Sequence, residues 1–223
     1  MAKKNEFTPD WYHREAPKNS YRSIFKWGDP NFFKAPNPKL YKLMKESFEM
    51  TDEDFLEKKE MGLEPVEFDL PSKFSQEQLK ELAEIVGEEN VTTDDYTRVS
   101  VSYGKTMVDI MRLRKGIVEN LPDAVLYPRD REDIIKIVKY CCDKKIPLYV
   151  YGGGSSVTRG AEAVCGGVTL DLRKHFNKVI AFSENNQTIT VESGMSGPQL
   201  EEVLNNAVEK LGAKRAYTCG HFP

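Results

Sequence analysis

The sequence has no run approaching the ~20 consecutive apolar residues of a membrane-spanning helix. The lysines of its opening, "MAKKNEFTPDWYHREAPKNSYRS", are followed by no apolar stretch of the kind a secretory leader carries. A soluble compartment is expected, cytoplasmic in the first instance and peroxisomal if the source is eukaryotic. An excess of either charge is also missing: 32 Lys and Arg stand against 35 Asp and Glu, for a net charge of −3. That balance leaves no electrostatic footprint for nucleic acid or an anionic membrane, and points instead to small-molecule partners. Cysteine is scarce, at Cys141, Cys142, Cys165 and Cys219, with no C-x-x-C pair and no His at metal-ligand spacing, so no metal site is expected. Cys141 and Cys142 are neighbours in a predicted helix, a poor geometry for a disulfide, and reduced, mostly buried thiols are expected. Repeats and low-complexity tracts are absent too. What remains, 223 residues of which 39% are apolar and 30% charged, suits one core or two smaller ones.

Two nucleotide-binding motifs begin without being completed. The Gly-Lys-Thr triplet at 104–106 resembles the end of a triphosphate-binding loop, but the spacing requires a glycine where Val99 stands. It reads as a turn or a helix start. Gly152 and Gly154 match the first pair of the dinucleotide G-x-G-x-x-G fingerprint, but its third position is Val157.

Residues 1 to about 60 are rich in Pro, aromatic and charged residues and read as an irregular lead with one short helix from Pro38 to Phe48. Ser75 and Gln78 form a capping box for a helix with Leu79, Leu82, Ile85 and Val86 on one face and Gly87 at its end. From residue 118 the pattern becomes regular. Ala124–Tyr127 reads as a buried strand, and Asp130 caps a helix whose Ile134, Ile137, Val138 and Cys141 share a face. Strands follow at Pro147–Tyr151, Gly167–Leu172 and Thr188–Glu192, the last preceded by the turn "SENNQ". Ser196 and Gln199 then form a second capping box, before a helix with Leu200, Val203, Leu204, Ala207, Val208 and Leu211 on one face, ending at Gly212. The class is α+β. A lead (1–117) precedes the regular domain (118–223), which stops on "AYTCGHFP" with no closing helix.

The chemistry concentrates in "LYVYGGGSSVTRG", Leu148 to Gly160. Three glycines behind a buried strand let backbone N–H groups turn toward one anion without side-chain obstruction. Ser155, Ser156 and Thr158 add hydroxyl donors, and a diphosphate has enough acceptors to meet several donors at once. No helix pattern starts behind the loop, so turn amides and hydroxyls, rather than a helix N-terminus, are the expected holders. The same composition also serves a plain tight turn, and loop chemistry alone does not choose between the two.

The order of motifs does choose. A proline-led strand and helix from Pro122, then "YGGGSSV" (Tyr151 to Val157), "LDL", "VESG" and "LEEVL" resemble the FAD-binding half of the vanillyl-alcohol oxidase and p-cresol methylhydroxylase (PCMH) superfamily. Together with "KWGDP" (Lys26 to Pro30), "DIMRLRKGIVENLPDAVLYP" (Asp109 to Pro128) and "GHFP" (Gly220 to Pro223), they look most like its alkyldihydroxyacetone-phosphate synthase branch. That resemblance implies the first part of a PCMH-type FAD-binding domain, a small mixed sheet flanked by helices. Val150, Tyr151, Gly152, Gly153, Gly154, Ser155 and Ser156 would then wrap the FAD pyrophosphate, with Val157 supporting the loop, while Gly220 and His221 would lead into a second flavin-contacting segment.

Some members attach FAD through a His in or beside the glycine loop. Gly154 and Ser155 occupy those positions here, so non-covalent FAD is implied. The rest of the FAD domain, the substrate cap and the catalytic residues would lie beyond Pro223, making this a fragment, inactive alone, of a protein that is a homodimer when complete. Of the other histidines, His13 is expected at the surface and His175 at a strand cap. In the synthase the flavin is an electrophilic trap for exchange of acyl for fatty alcohol on a lipid phosphate, without net redox change. In sister enzymes it takes a hydride from a 2-hydroxy acid such as lactate or glycolate. A non-catalytic nucleotide-binding module is the third reading.

Overall fold

A computed structural model describes residues 15–24, 37–56 and 62–220. In chain order the elements are α1 (Pro38–Phe48), α2 (Gln76–Val86), β1 (Val91–Thr92), α3 (Asp95–Ser102), α4 (Met107–Arg114), β2 (Ala124–Leu126), α5 (Arg131–Lys144), β3 (Leu148–Tyr151), β4 (Val168–Asp171), β5 (Val179–Ser183), β6 (Thr188–Val191), α6 (Gly197–Asn205) and α7 (Ala207–Leu211). They form two compact units, one of Met1–Val66 with Met107–Ile117 and one of Glu67–Thr106 with Val118–Pro223.

In the first unit, Asn37 caps α1 by accepting from Lys39 N and Leu40 N, Pro38 opens it, and Glu49 closes it in the left-handed region. Tyr41 is the residue α1 buries; it stacks at 4.5 Å on Phe55 and its hydroxyl meets Asp52. α4 buries Ile110 and Leu113 while Met107, Val108 and Met111 stay exposed.

The second unit holds a four-stranded sheet in the order β1-β2-β4-β3, with β2, β4 and β3 parallel and β1 antiparallel to β2. The central strands β2 and β4 are buried along their whole length, as in a parallel sheet covered on both faces. One face packs Leu126, Val168 and Leu170 against Leu82 and Val86 of α2 and Ile137 and Cys141 of α5. On the other cluster Val101 of α3, Val125, Tyr151 and Ala161. The chain passes from β2 through α5 to the edge strand β3, then returns to β4 through residues 152–167 without a helix. A separate β5–β6 hairpin packs Val179, Ile189 and Val191 against Met195, Leu200, Leu204 and Tyr217.

The α+β architecture, a small mixed sheet with helices, is as expected, and so are both capping boxes. Several local expectations are corrected. Val138 is 41% exposed, because the buried face of α5 runs through Asp133, Ile137 and Cys141 and turns Val138 outward. The same rotation exposes Cys142; Cys165 is exposed and Cys219 half-buried, so Cys141 is the buried thiol among the four. The last helix breaks at Asn206, whose side chain turns back to Glu202 O at 2.8 Å, and Val208 is left exposed. β6 pairs with β5 and not with the main sheet. β1, α3 and β5 are additional elements. α3 ("DYTRVSVS") has weak helix formers but is fixed by its cap, Asp94 accepting from Thr97 N, and by buried Arg98, which donates to Pro122 O at 2.8 Å. His175 caps no strand; it sits in the turn after β4, its Nε2 2.9 Å from Asn90 Oδ1.

Candidate functional site

Because β2, β3 and β4 run parallel, their carboxyl ends share one edge of the sheet. That edge carries Tyr127 after β2, the glycine loop after β3, and Asp171, Arg173 and Lys174 at the end of β4. Ligands in open α/β sheets bind outside this edge.

The glycine loop starts beside Ser193: a Cβ on Gly152 would lie 3.2 Å from Ser193 O. Gly154 has φ +60°, and a Cβ there would fall on the Tyr151 hydroxyl and ring, with Cε2 at 2.9 Å. A side chain is therefore excluded at Gly154 twice, by conformation and by space. Tyr151 is the reason for the second exclusion. It is 3% exposed, donates to Ser100 O at 3.3 Å and carries Arg173 over its ring at 4.8 Å. Burial pushes its phenol up to about 12. Beyond the glycines, Ser156 accepts from Gly160 N through its hydroxyl at 2.8 Å and from Lys105 N through its carbonyl at 2.7 Å. Arg159, φ +64°, forks onto buried Glu162 at 2.6 and 2.8 Å, and Asn120 donates to the same carboxylate at 2.7 Å. The distal half of the loop is thus fixed by its own side chains.

Each predicted residue has a definite setting. Gly152, Gly153, Gly154 and Ser155 form the turn itself, with Gly153 and Ser155 exposed and Gly152 and Gly154 half-buried. Ser156 is half-buried and bonded within the loop, yet its hydroxyl proton remains available to donate. Tyr151 points into the core, leaving its backbone as what it can offer an anion. Val150 and Val157 each leave their side chains 64% exposed, on either side of the turn. Gly220 is exposed at the end of a strap whose preceding residues are tied to Glu201. His221, His13 and Lys26–Pro30 lie outside the described residues.

Four residues at the same edge escaped the sequence reading. Tyr127, Asp171, Arg173 and Lys174 line an open groove of about 450 Å³. Arg173 grips Asp171 through two nitrogens at 2.9 and 2.6 Å, while Lys174 donates to Asn90 Oδ1 at 2.8 Å and lies 4.9 Å from the Tyr127 ring. The signal was the basic pair directly behind the "LDL" strand. Opposite the hairpin, Glu201 accepts from Cys219 N at 2.9 Å, Cys219 Sγ at 3.0 Å and Thr218 Oγ1 at 2.5 Å. Those bonds hold its carboxyl down at about 2, and Glu201 in turn pushes the Cys219 thiol up. Among the described residues no cluster of His, Cys, Asp and Glu could hold a metal, and no helix is long and apolar enough to cross a membrane.

A Gly154 position closed to side chains, hydroxyls on the following residues and a strand-to-turn geometry fit a diphosphate held by loop amides. Residues 122–219 match the FAD binding domain family, and FAD is the cofactor of this domain. The chain is 26% identical over 191 residues to alkyldihydroxyacetonephosphate synthase of Dictyostelium discoideum, a match covering 82% of this chain and 31% of that protein. It is 33% identical over 117 residues to the mitochondrial D-lactate dehydrogenase [cytochrome] of Arabidopsis thaliana, covering 52% and 19%. A solved alkyldihydroxyacetonephosphate synthase superposes with TM-score 0.57 at 28% identity over 63% of this chain and 27% of its own. The chain thus spans less than a third of the length of these relatives.

Proposed function

We propose that Val150–Val157, with Gly220 and His221, form the pyrophosphate-holding part of a non-covalent FAD site in an enzyme of the alkyldihydroxyacetone-phosphate synthase type. In this reading residues 118–223 are the first part of the FAD domain and 1–117 its lead, and the protein works in the cytoplasm or a peroxisome. FAD supplies the electrophilic ring at which acyl is exchanged for fatty alcohol on a glycerone phosphate, without net oxidation. This chain's share is to hold the diphosphate with loop amides and hydroxyls, Gly154 keeping the approach open.

The carrying observation is reach. Similarity to the synthase takes in 82% of the chain, well ahead of Pro122, whereas similarity to the D-lactate dehydrogenase covers 52%. The higher identity of the dehydrogenase, 33% against 26%, favours a second reading as an FAD-linked 2-hydroxy-acid dehydrogenase. The test uses protein from the longest reading frame that contains this chain. Its visible spectrum is taken before and after acid precipitation, and it is then assayed both for fatty-alcohol exchange on acyl-dihydroxyacetone phosphate and for lactate or glycolate oxidation with a dye acceptor. Flavin released to the supernatant, with exchange that needs no acceptor, is the expected result. Acceptor-dependent oxidation without exchange selects the second reading, and colourless protein that cannot be reconstituted with FAD overturns both.

A further inference from the structure

The Gly104-Lys105-Thr106 triplet fails as a triphosphate loop, yet the fold lays it against the glycine loop. Two links do this: the Tyr151 hydroxyl donates to Ser100 O at 3.3 Å, and Lys105 N–H donates to Ser156 O at 2.7 Å. Between them Val101 packs in one buried cluster with Tyr151 and Ala161, and Tyr103 is 2% exposed. Residues 100–105 therefore form a wall along the loop, pinned at the last residue of β3 and again at Ser156.

The cations near this edge differ in their commitments. Arg159 is forked onto Glu162, Arg173 onto Asp171, and Lys174 donates to Glu89 O at 3.0 Å and to Asn90 Oδ1. The Lys105 ammonium has no ion-pair or hydrogen-bond partner among the described residues. It is half-buried, and burial alone, with no carboxylate beside it, pulls its pKa down. A partly dehydrated cation without a counter-ion is unfavourable, and an anion at its side removes that cost. The loop has the complementary deficiency: amides and hydroxyls in number, but no charge of its own from Tyr151 to Thr158.

Resting on the reading that this loop holds the FAD pyrophosphate, we propose that Lys105 is the diphosphate's charge partner. Its ammonium pairs with the phosphate oxygens, and its backbone N–H fixes the Ser156 carbonyl so that the Ser156 hydroxyl faces the same anion. A four-carbon stem suits this duty, since it delivers a compact charge from a backbone position already pinned to the loop.

The test is titration of flavin-stripped protein with FAD at low and at high salt, for wild type, Lys105→Gln, Lys105→Arg and Gly154→Val. The melting temperature of each flavin-free protein is measured alongside. Losing one charge-assisted hydrogen bond should raise Kd for K105Q about tenfold or more at low salt. The salt dependence should flatten, K105R should restore most of the affinity, and flavin-free melting should be unchanged. K105Q binding FAD with wild-type Kd and wild-type salt dependence overturns the role of Lys105 and leaves the loop reading standing. So does a loss of affinity that K105R does not repair and that comes with lowered flavin-free melting, because that pattern marks a structural contact. Wild type that binds no FAD, or Gly154→Val that binds it as well as wild type, overturns the loop reading and the Lys105 role with it.

Discussion

Replacing Gly154 by alanine puts a methyl group in place of a hydrogen at a site where the structure leaves no room. With φ at +60°, any L-residue at this position sits in the left-handed region, which costs about 1–2 kcal/mol before contacts are considered. The added Cβ then falls on the Tyr151 hydroxyl and Cζ, and the ring cannot swing aside because it is 3% exposed and wedged among Val101, Val125 and Ala161. Forcing extra volume into such a cluster costs a further ~1–3 kcal/mol. The total of about 2–5 kcal/mol must come out of global stability or out of the loop conformation. If the loop alone yields, 2 kcal/mol corresponds to about a thirty-fold weaker FAD complex. Urea unfolding with an FAD titration on the same protein separates the two shares. Tyr151→Phe in the Gly154→Ala background should rescue little, because the ring carbons still lie under the new methyl. A Gly154→Ala protein with wild-type stability and wild-type FAD affinity would refute the argument, since both strain and collision would then be fictitious.

Glu201→Gln removes an acceptor from three donors on Thr218 and Cys219. The Glu201 carboxyl is depressed in the folded state, to about 2. Its contribution is therefore complete above its unfolded value near 4.3 and is lost as pH falls through about 2. The acid limb of stability from roughly pH 5 to 2 should flatten in the variant, and an unchanged limb in acid melts would contradict this. The Cys219 thiol, held up by Glu201, should alkylate faster at pH 8 once the carboxylate is gone, as read by mass spectrometry of the labelled peptide. Asp123→Ala leaves the N–H groups of Lys73 and Gly167 without the carboxylate that now accepts at 2.8 and 2.6 Å, and should cost about 2–4 kcal/mol in urea unfolding. A loss under about 0.5 kcal/mol would mean that water replaces the carboxylate. A thiol reagent at pH 8 should label Cys142 and Cys165 well before Cys141, whose thiol burial pushes up to about 11; Cys141 reacting first would contradict the buried face of α5.

The elements read from the sequence are those whose signals are local. Ser75 with Gln78 and Ser196 with Gln199 announce helix starts because the cap is made within four residues. β2 announces itself because a strand covered on both faces needs a continuous apolar run, here Ala124–Leu126. β4 is legible instead from its β-branched and apolar Val168, Thr169 and Leu170 behind a glycine pair, although its Thr169 and Asp171 are buried too. α3 is the opposite case. Its Thr, Val and Ser residues are indifferent helix formers, and what holds it lies far along the chain, in the Arg98 bond to Pro122 O and in Val101 packed on Val125. β1 has two residues, and its partner β2 lies more than thirty positions away, so nothing in its own composition could reveal it. Asn206, which breaks the last helix, acts through a side-chain return to Glu202 O that competes with the backbone ladder, a choice invisible in an apolar pattern that continues through it.

The site divides in the same way, and the division bears on where its affinity resides. The glycines and serines of 152–156 were legible because a turn that admits an anion needs those residue types next to each other. The Gly154 requirement is less local: it depends on Tyr151, and Tyr151 is locked by Ser100 and by Arg173, one from α3 and the other from the turn after β4. Lys105 reaches Ser156 because α3 returns the chain to this edge of the sheet, a consequence of packing that no spacing rule encodes. The residues that form the cradle are thus contiguous, whereas those that stiffen it come from residues 100–105 and 171–174. Substitutions in these two flanking segments should therefore weaken flavin binding by changing the shape of the loop, even though the first of them lies about fifty positions from the glycines.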